Sequence, residues 1–147
     1  MPFSPHITVA TIVEENGRFL LVQEHDSTKG LVFNQPAGHL EANEDLLEAA
    51  LRETLEETAW QVELQHLVGI YLYQAPNGVT YQRACFSAKP IKQLEQPLDP
   101  DIEQTVWLTY DELVAQQAAC RSPLVLQCIA DYQSGSRHSL SVFKGVY

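Results

Sequence analysis

A chain of 147 residues has the length of one domain and can bury a core without disulfides or a structural metal. Hydrophobic residues make up 45% and charged residues 19%, with no low-complexity tract, which excludes a disordered or fibrous chain. Nine Lys and Arg against nineteen Asp and Glu leave a formal net charge of −10; this opposes binding to a nucleic-acid polymer or an anionic membrane, and an anionic substrate would need a cation to mediate.

The cysteines, Cys85, Cys120 and Cys128, are odd in number and lack CxxC spacing, so neither a disulfide framework nor a zinc site is indicated. The N-terminal stretch "MPFSPHITVATIVEENG" has no basic region ahead of an apolar run, and no stretch approaches the roughly 20 apolar residues of a membrane helix. The expectation is one soluble, cytoplasmic domain, 1–147, with no linker and no internal repeat.

In chain order, "HITVATIV" and "RFLLVQE" are β-prone runs joined by "EENG", where Asn16-Gly17 signals a hairpin because both residues tolerate positive φ. "LVFNQPAGHLEA" follows as a short strand feeding a loop, since Pro36 and Gly38 forbid a continuous helix. Asn43 is the expected N-cap of a helix from Glu44 to about Thr58, with Glu44 and Asp45 complementing its dipole. "VELQHLVGIYLYQA" and "VTYQRACFSA", flanking "PNG", predict a second strand pair, and "EQTVWLT" a further strand. Thr109 and Glu112 have capping-box spacing, and Ser122-Pro123 opens a last helix ending near Gly135. The tail from Ser136 to Tyr147 carries no assignable pattern. Strands, helix, strands, helices in that order predict an α/β fold with a mixed sheet.

The long helix carries the chemistry. At about 100° per residue, Leu47, Ala50, Leu51, Thr54, Leu55 and Thr58 gather on the expected core side. Glu56, Glu53 and Glu57 fall roughly 180°, 240° and 280° from Leu47 on the same projection, a compact arc away from it. Their i,i+3 and i,i+4 spacings make them neighbours, and Arg52, four residues before Glu56, cannot neutralise three anions. A hard divalent cation such as Mg²⁺ or Mn²⁺ can, sharing its oxygen ligands with water and a phosphate. Ala49 and Ala50 leave little bulk beside this patch, which suits the approach of another loop. Taken alone, an acidic stretch of this kind is most often a solvated helix face.

The frame around it is more specific. Gly38, five residues, Glu44, seven residues, Arg52-Glu53, two residues and Glu56-Glu57 form one pattern within the segment 38–60. The chain resembles the Nudix hydrolases, and "NQPAGHLEA", "RSPL", "YQSG" and "KGV" look like the NudJ-type phosphatases within that family. The resemblance implies an α/β/α sandwich in which the box forms a loop, helix and loop against a mixed sheet. It also implies Mg²⁺-dependent cleavage of small diphosphate substrates: nucleoside tri- and diphosphates and the thiamine-precursor pyrimidine diphosphate, with release of phosphate. Two positions depart from the usual box, Thr54 for a larger aliphatic residue and Ala59 for glycine.

Glu53, Glu56 and Glu57 are the expected metal ligands, with Gly38 allowing close backbone approach and offering its carbonyl. Arg52 would orient Glu56, and Glu44 would support the loop. The general base is Glu53 or Glu103, the latter in "DPDIEQ"; a lone acid before a strand is more often solvated. His39 lies next to Gly38 and is a candidate phosphate neighbour, although a solvated or structural His is the commoner role. Phe33, Tyr71, Tyr73 and Tyr81 are stacking candidates, but strand aromatics more often belong to the core, and Cys85 is expected to be buried. Among partners, a small molecule is expected, with the chain a monomer or homodimer.

Three other readings compete. A Nudix-like binding module would normally have lost box acids, and all are present. An isoprenoid diphosphate isomerase needs a cysteine in its own motif and a longer chain. A P-loop enzyme needs GxxxxGK[ST], which does not occur.

Overall fold

The computed structural model describes residues 2–146. Strands β1 (His6–Glu15) and β2 (Arg18–Asp26) form the predicted hairpin. Asn16 and Gly17 have φ of 54° and 79°, the left-handed pair that lets a two-residue turn follow the strand twist. Next come β3 (Gly30–Asn34), β4 (Ala37–His39), helix α1 (Leu46–Thr58), and the long strands β5 (Trp60–Gln74) and β6 (Thr80–Gln93). Strand β7 (Ile102–Leu108), α2 (Tyr110–Val114) and α3 (Leu124–Gln133) follow.

The sheet is mixed, as expected. Its order is β3-β2-β1-β6-β5, with β4 also paired to β1 and β7 to β2. The β1–β6 pairing is parallel, while the β2 and β4 pairings to β1 are antiparallel. Because strand side chains alternate, consecutive β1 residues enter different cores. Val9 packs with Ala49 and Ala50 of α1, and Ala10 and Ile12 pack with Val125, Cys128 and Ile129 of α3. Six consecutive β1 residues, Thr8 to Val13, are therefore buried, the signature of a central strand covered on both faces. This is the expected α/β/α sandwich.

Two features of α1 differ from the sequence expectation. Asp45, not Asn43, caps the helix: its side chain accepts from the Glu48 N–H at 2.8 Å, and Glu48 accepts from the Asp45 N–H at 3.0 Å. This reciprocal box satisfies two otherwise orphaned donors, and Asn43 instead turns the chain with a φ of 65°. The inward face is also rotated. Ala49, Ala50, Thr54 and Thr58 are buried, whereas Leu51 is 41% exposed. Ala49 and Ala50 do not open a space for a loop; their small side chains let the helix lie close on Val9, Ala84 and Phe86.

Thr54 is explained by its setting. Its hydroxyl lies 2.7 Å from the Ala50 carbonyl and 3.0 Å from the Thr11 hydroxyl, so it joins helix to central strand where an aliphatic residue would leave Thr11 without that partner.

Ala59 is left-handed, with φ 62°, and its N–H donates to Leu55 O. The conformation costs an alanine about 1 kcal/mol. Ala59 is only 3% exposed, so glycine would lose a buried methyl, about 0.8 kcal/mol, and add chain entropy to the unfolded state. Ala59→Gly is therefore expected to leave the melting temperature within a few degrees of wild type, as checked by thermal denaturation. A large rise would mean the methyl contributes nothing.

The tail also has a place. His138 exchanges backbone hydrogen bonds with Leu67, and Phe143 lies against Phe86, with ring centroids 5.2 Å apart. Tyr147 and Met1 lie outside the described residues. No described helix is long and apolar enough to cross a membrane.

Candidate active site

Three residues of β4 lie along α1 and meet it side chain by side chain. The Ala37 N–H donates to Glu57 Oε1 at 2.9 Å, and the His39 carbonyl accepts from Arg52 Nη2 at 3.1 Å. Between them, Gly38 faces the Glu53 carboxyl group so closely that a Cβ would overlap its carbon and both oxygens. The glycine is required for space rather than for a positive φ.

Arg52 holds the loop to the helix. Its Nε and Nη2 donate to Glu44 at 2.9 and 2.8 Å, and its Nη1 to Glu53 at 2.8 Å. The expected contact with Glu56 is present but longer, at 3.3 Å. Glu44 also accepts from the Glu41 N–H at 2.8 Å, so it ties down the loop that precedes the helix. The Arg52 bond holds Glu44 below the usual carboxylate range, and Arg52 itself is fixed in its charged form.

Glu53, Glu57 and Asp99 each offer an oxygen within 4.8 Å of the others. Asp99 comes from the loop before β7, and its N–H is bonded to the Glu56 carbonyl at 3.0 Å. The residue belongs to the "DPDIEQ" segment singled out above, but two positions from the start lies Asp101 and only then Glu103, so its acidity alone does not reveal which acid turns inward. Glu103 goes elsewhere: its Oε2 is 3.0 Å from His25 Nε2 in an exposed pair. Glu56 stays at the rim, with 40% of its side chain exposed.

The electrostatics of the group favour a cation. Burial pushes Glu57 up to about 9, with the neighbouring Glu24, Glu53 and Asp99 charges adding to the shift. Glu53 is raised chiefly by burial, and Asp99 by burial and by Glu56. Three acids that resist ionising together, all presenting hard oxygen donors, fit Mg²⁺ or Mn²⁺ and not a soft metal.

The remaining candidates fall mostly into structural roles. His39 Nε2 lies 3.0 Å from His6 Nδ1, and both rings meet Tyr81 edge-on. Phe33 is buried, Tyr71 donates to Asp131 at 2.7 Å, Tyr73 packs on the α3-side core, and Cys85 is fully buried. A cavity of about 500 Å³ between α2 and α3, lined in part by Lys29, Tyr110, Ser122 and Leu126, includes none of the acids.

Sequence reasoning missed a second charged cluster beside the acids. Glu24, 8% exposed, accepts from Asn34 at 3.3 Å and from Arg121 at 2.9 Å. Arg83, 7% exposed, donates to Gln35 and Asn34 at 3.0 and 3.3 Å. Asn34, Gln35 and Arg121 lie in the "NQPAGHLEA" and "RSPL" motifs, but their pairing with Glu24 and Arg83 is not legible locally, since Glu24 and Arg121 are 97 positions apart.

A NUDIX-domain family model matches residues 2–128. The chain is 42% identical to the phosphatase NudJ of Escherichia coli K12 over 142 residues, covering 95% of this chain and 91% of that protein, and the Shigella flexneri NudJ aligns equally well. A NUDIX hydrolase structure from Nitrosomonas europaea superposes with a TM-score of 0.95 at 39% identity, over 97% of this chain and 98% of that one. A Nudix domain from Shewanella oneidensis crystallised with ADP-ribose is 18% identical with a TM-score of 0.69, and shares the fold. With the box residues brought together by β4, the loop after it and α1, and the likeness running nearly end to end, the chain belongs to the Nudix hydrolase family.

Proposed function

We propose that this hydrolase acts on small diphosphate-bearing molecules, nucleoside tri- and diphosphates and hydroxymethylpyrimidine diphosphate, and that it requires Mg²⁺ or Mn²⁺. The observation that carries the reading is the convergence of Glu53, Glu57 and Asp99 on one point, each resisting ionisation in the absence of a cation. These three would hold the ion, with the Gly38 carbonyl as the further oxygen this reading assigns and Glu56 at the rim. When bound, such an ion neutralises phosphate charge and acidifies an attacking water.

This chain's residues do the rest. Arg52 fixes Glu53 and the loop, so the acids are in place before the substrate arrives. Glu53, whose side chain is 12% exposed, is the acid this reading assigns to take the water's proton. On this reading Glu103, which pairs with His25 at the surface, takes no part in the chemistry. The NudJ relatives are named phosphatases, which supports phosphate release as the activity.

The test is a panel of nucleoside tri- and diphosphates and the pyrimidine diphosphate, assayed for phosphate and pyrophosphate with Mg²⁺, with Mn²⁺ and with a chelator. Phosphate release that disappears on chelation is expected. Turnover unaffected by chelation, or none on any member, would overturn the reading.

A further inference from the structure

Metal-bound acids account for one part of a polyphosphate and leave the rest of its charge without a partner. Arg52 touches Glu53 but spends its donors on Glu44, Glu53, Glu56 and the His39 carbonyl, and a second charged group is built around Arg121. Its backbone is fixed twice: the N–H donates to Phe33 O at 2.9 Å, and the carbonyl accepts from Lys29 Nζ at 3.2 Å. Its guanidinium is anchored at one corner only, by Nη1 on Glu24 Oε2 at 2.9 Å, while Nη2 stands 4.0 Å from Asp26. That is one hydrogen bond among the described residues for a fork with five donors, and 44% of the side chain is exposed.

The position is next to the acids. Asn34 donates to Glu24, and Ala37, three residues on, donates to Glu57; three residues span at most about 11 Å. The same proximity acts through space, since the Glu24 charge reaches Glu57 and the Arg121 charge reaches His39, the neighbour of Gly38. The short segment Asn34 to Ala37 thus links the acids, through Glu57, to the Glu24–Arg121 pair with its open donors. The guanidinium fork matches phosphate oxygens in a bidentate way.

We propose that Arg121 binds a phosphate of the substrate that the metal-bound acids do not hold, with Glu24 as the positioning residue that aims its guanidinium. The inference rests on the phosphate-substrate reading above. The structural alternative is that Arg121 only neutralises the buried Glu24.

The test uses the full chain and the variants Arg121→Gln, Arg121→Lys, Glu24→Gln and the Glu24→Gln/Arg121→Gln pair. Two readouts are taken: KM for a nucleoside triphosphate, and equilibrium binding of its β,γ-imido analogue in the presence of Mn²⁺. Arg121→Gln is expected to raise KM and weaken analogue binding about 30-fold, the worth of a lost charge-assisted contact. Its kcat should change far less, and its Mn²⁺ affinity in the absence of nucleotide should match wild type. Arg121→Lys should recover only part of the loss, because it restores charge without the fork.

In the double variant no buried carboxylate is left unpaired, so melting temperature should recover while KM and analogue binding do not. The proposal is overturned if Arg121→Gln binds the analogue like wild type, or if the double variant regains wild-type binding. Wild type that binds the analogue but hydrolyses no diphosphate would sink the proposed function alone, and Arg121 would then be judged on binding. Wild type that neither binds nor hydrolyses would overturn both.

Discussion

Glu57→Gln is expected to lower turnover by a factor on the order of 10³ while the protein stays folded. Glutamine keeps the size of the side chain and can still accept the Ala37 N–H, but it removes the negative charge from the centre of the acid group. Steady-state kinetics at saturating Mg²⁺ measure the loss, and activity near wild type would mean the ion is held elsewhere.

The same variant has a signature in stability. In the unfolded chain Glu57 titrates near 4.5, whereas in the fold burial raises it to about 9. Between those values the metal-free native state holds a proton that the unfolded state has shed. Stability is therefore fully present below about pH 4.5 and is lost as pH rises toward 9, by up to about 1.4 kcal/mol per unit. Chelated wild type should melt at progressively lower temperature across that window, and added Mg²⁺ should offset the decline by taking the proton's place. Glu57→Gln carries no such proton, so its melting temperature should fall much less steeply. Parallel curves for the two proteins in chelator would show that Glu57 is ionised without a metal.

Gly38→Ala is expected to cost about 100-fold in kcat/KM, the scale set by displacing a catalytic group by about 1 Å. The new methyl would occupy the position of the Glu53 carboxyl group, and neither neighbour can yield freely. Strand β4 is paired to β1 through Val9 and Gly38, and Glu53 is bonded to Arg52, which in turn holds the His39 carbonyl. Weaker Mn²⁺ binding should accompany the kinetic loss, together with about 1–3 kcal/mol of destabilisation from overpacking. If Mn²⁺ binding is unchanged, Glu53 swings aside at no cost and is not a fixed ligand.

Much of this was legible in the chain because local chemistry encodes it. Asn16-Gly17 forms its turn, and Thr109 with Glu112 forms its capping box through bonds of 3.1 and 2.9 Å. The box residues Gly38, Arg52, Glu53 and Glu57 meet because β4 and α1 are neighbours within a short segment. The start of α1 was misplaced by a close competition, in which Asp45 wins over Asn43 because Glu48 completes its box. Its inward face was misjudged because leucines outweigh alanines in any hydrophobic projection, while close packing on a sheet favours the smaller side chains. Asp99, Arg121 and the tail pairing of His138 with Leu67 depend on contacts between distant segments, which no periodicity records.

The hydrogen bond from the Asp99 amide to the Glu56 carbonyl makes the two sources of ligand one mechanical body. Helix end and loop open together or not at all, since Ala59, which closes the helix on Leu55, also accepts from Leu94 at the head of that loop. Occupancy of the acids and fraying of the helix end are thereby a single equilibrium seen from two sides. An ion clamping Glu57 and Asp99 would suppress fraying of the helix end, 55–59, together with opening of the loop 94–99, and loosening that closure would release the ion.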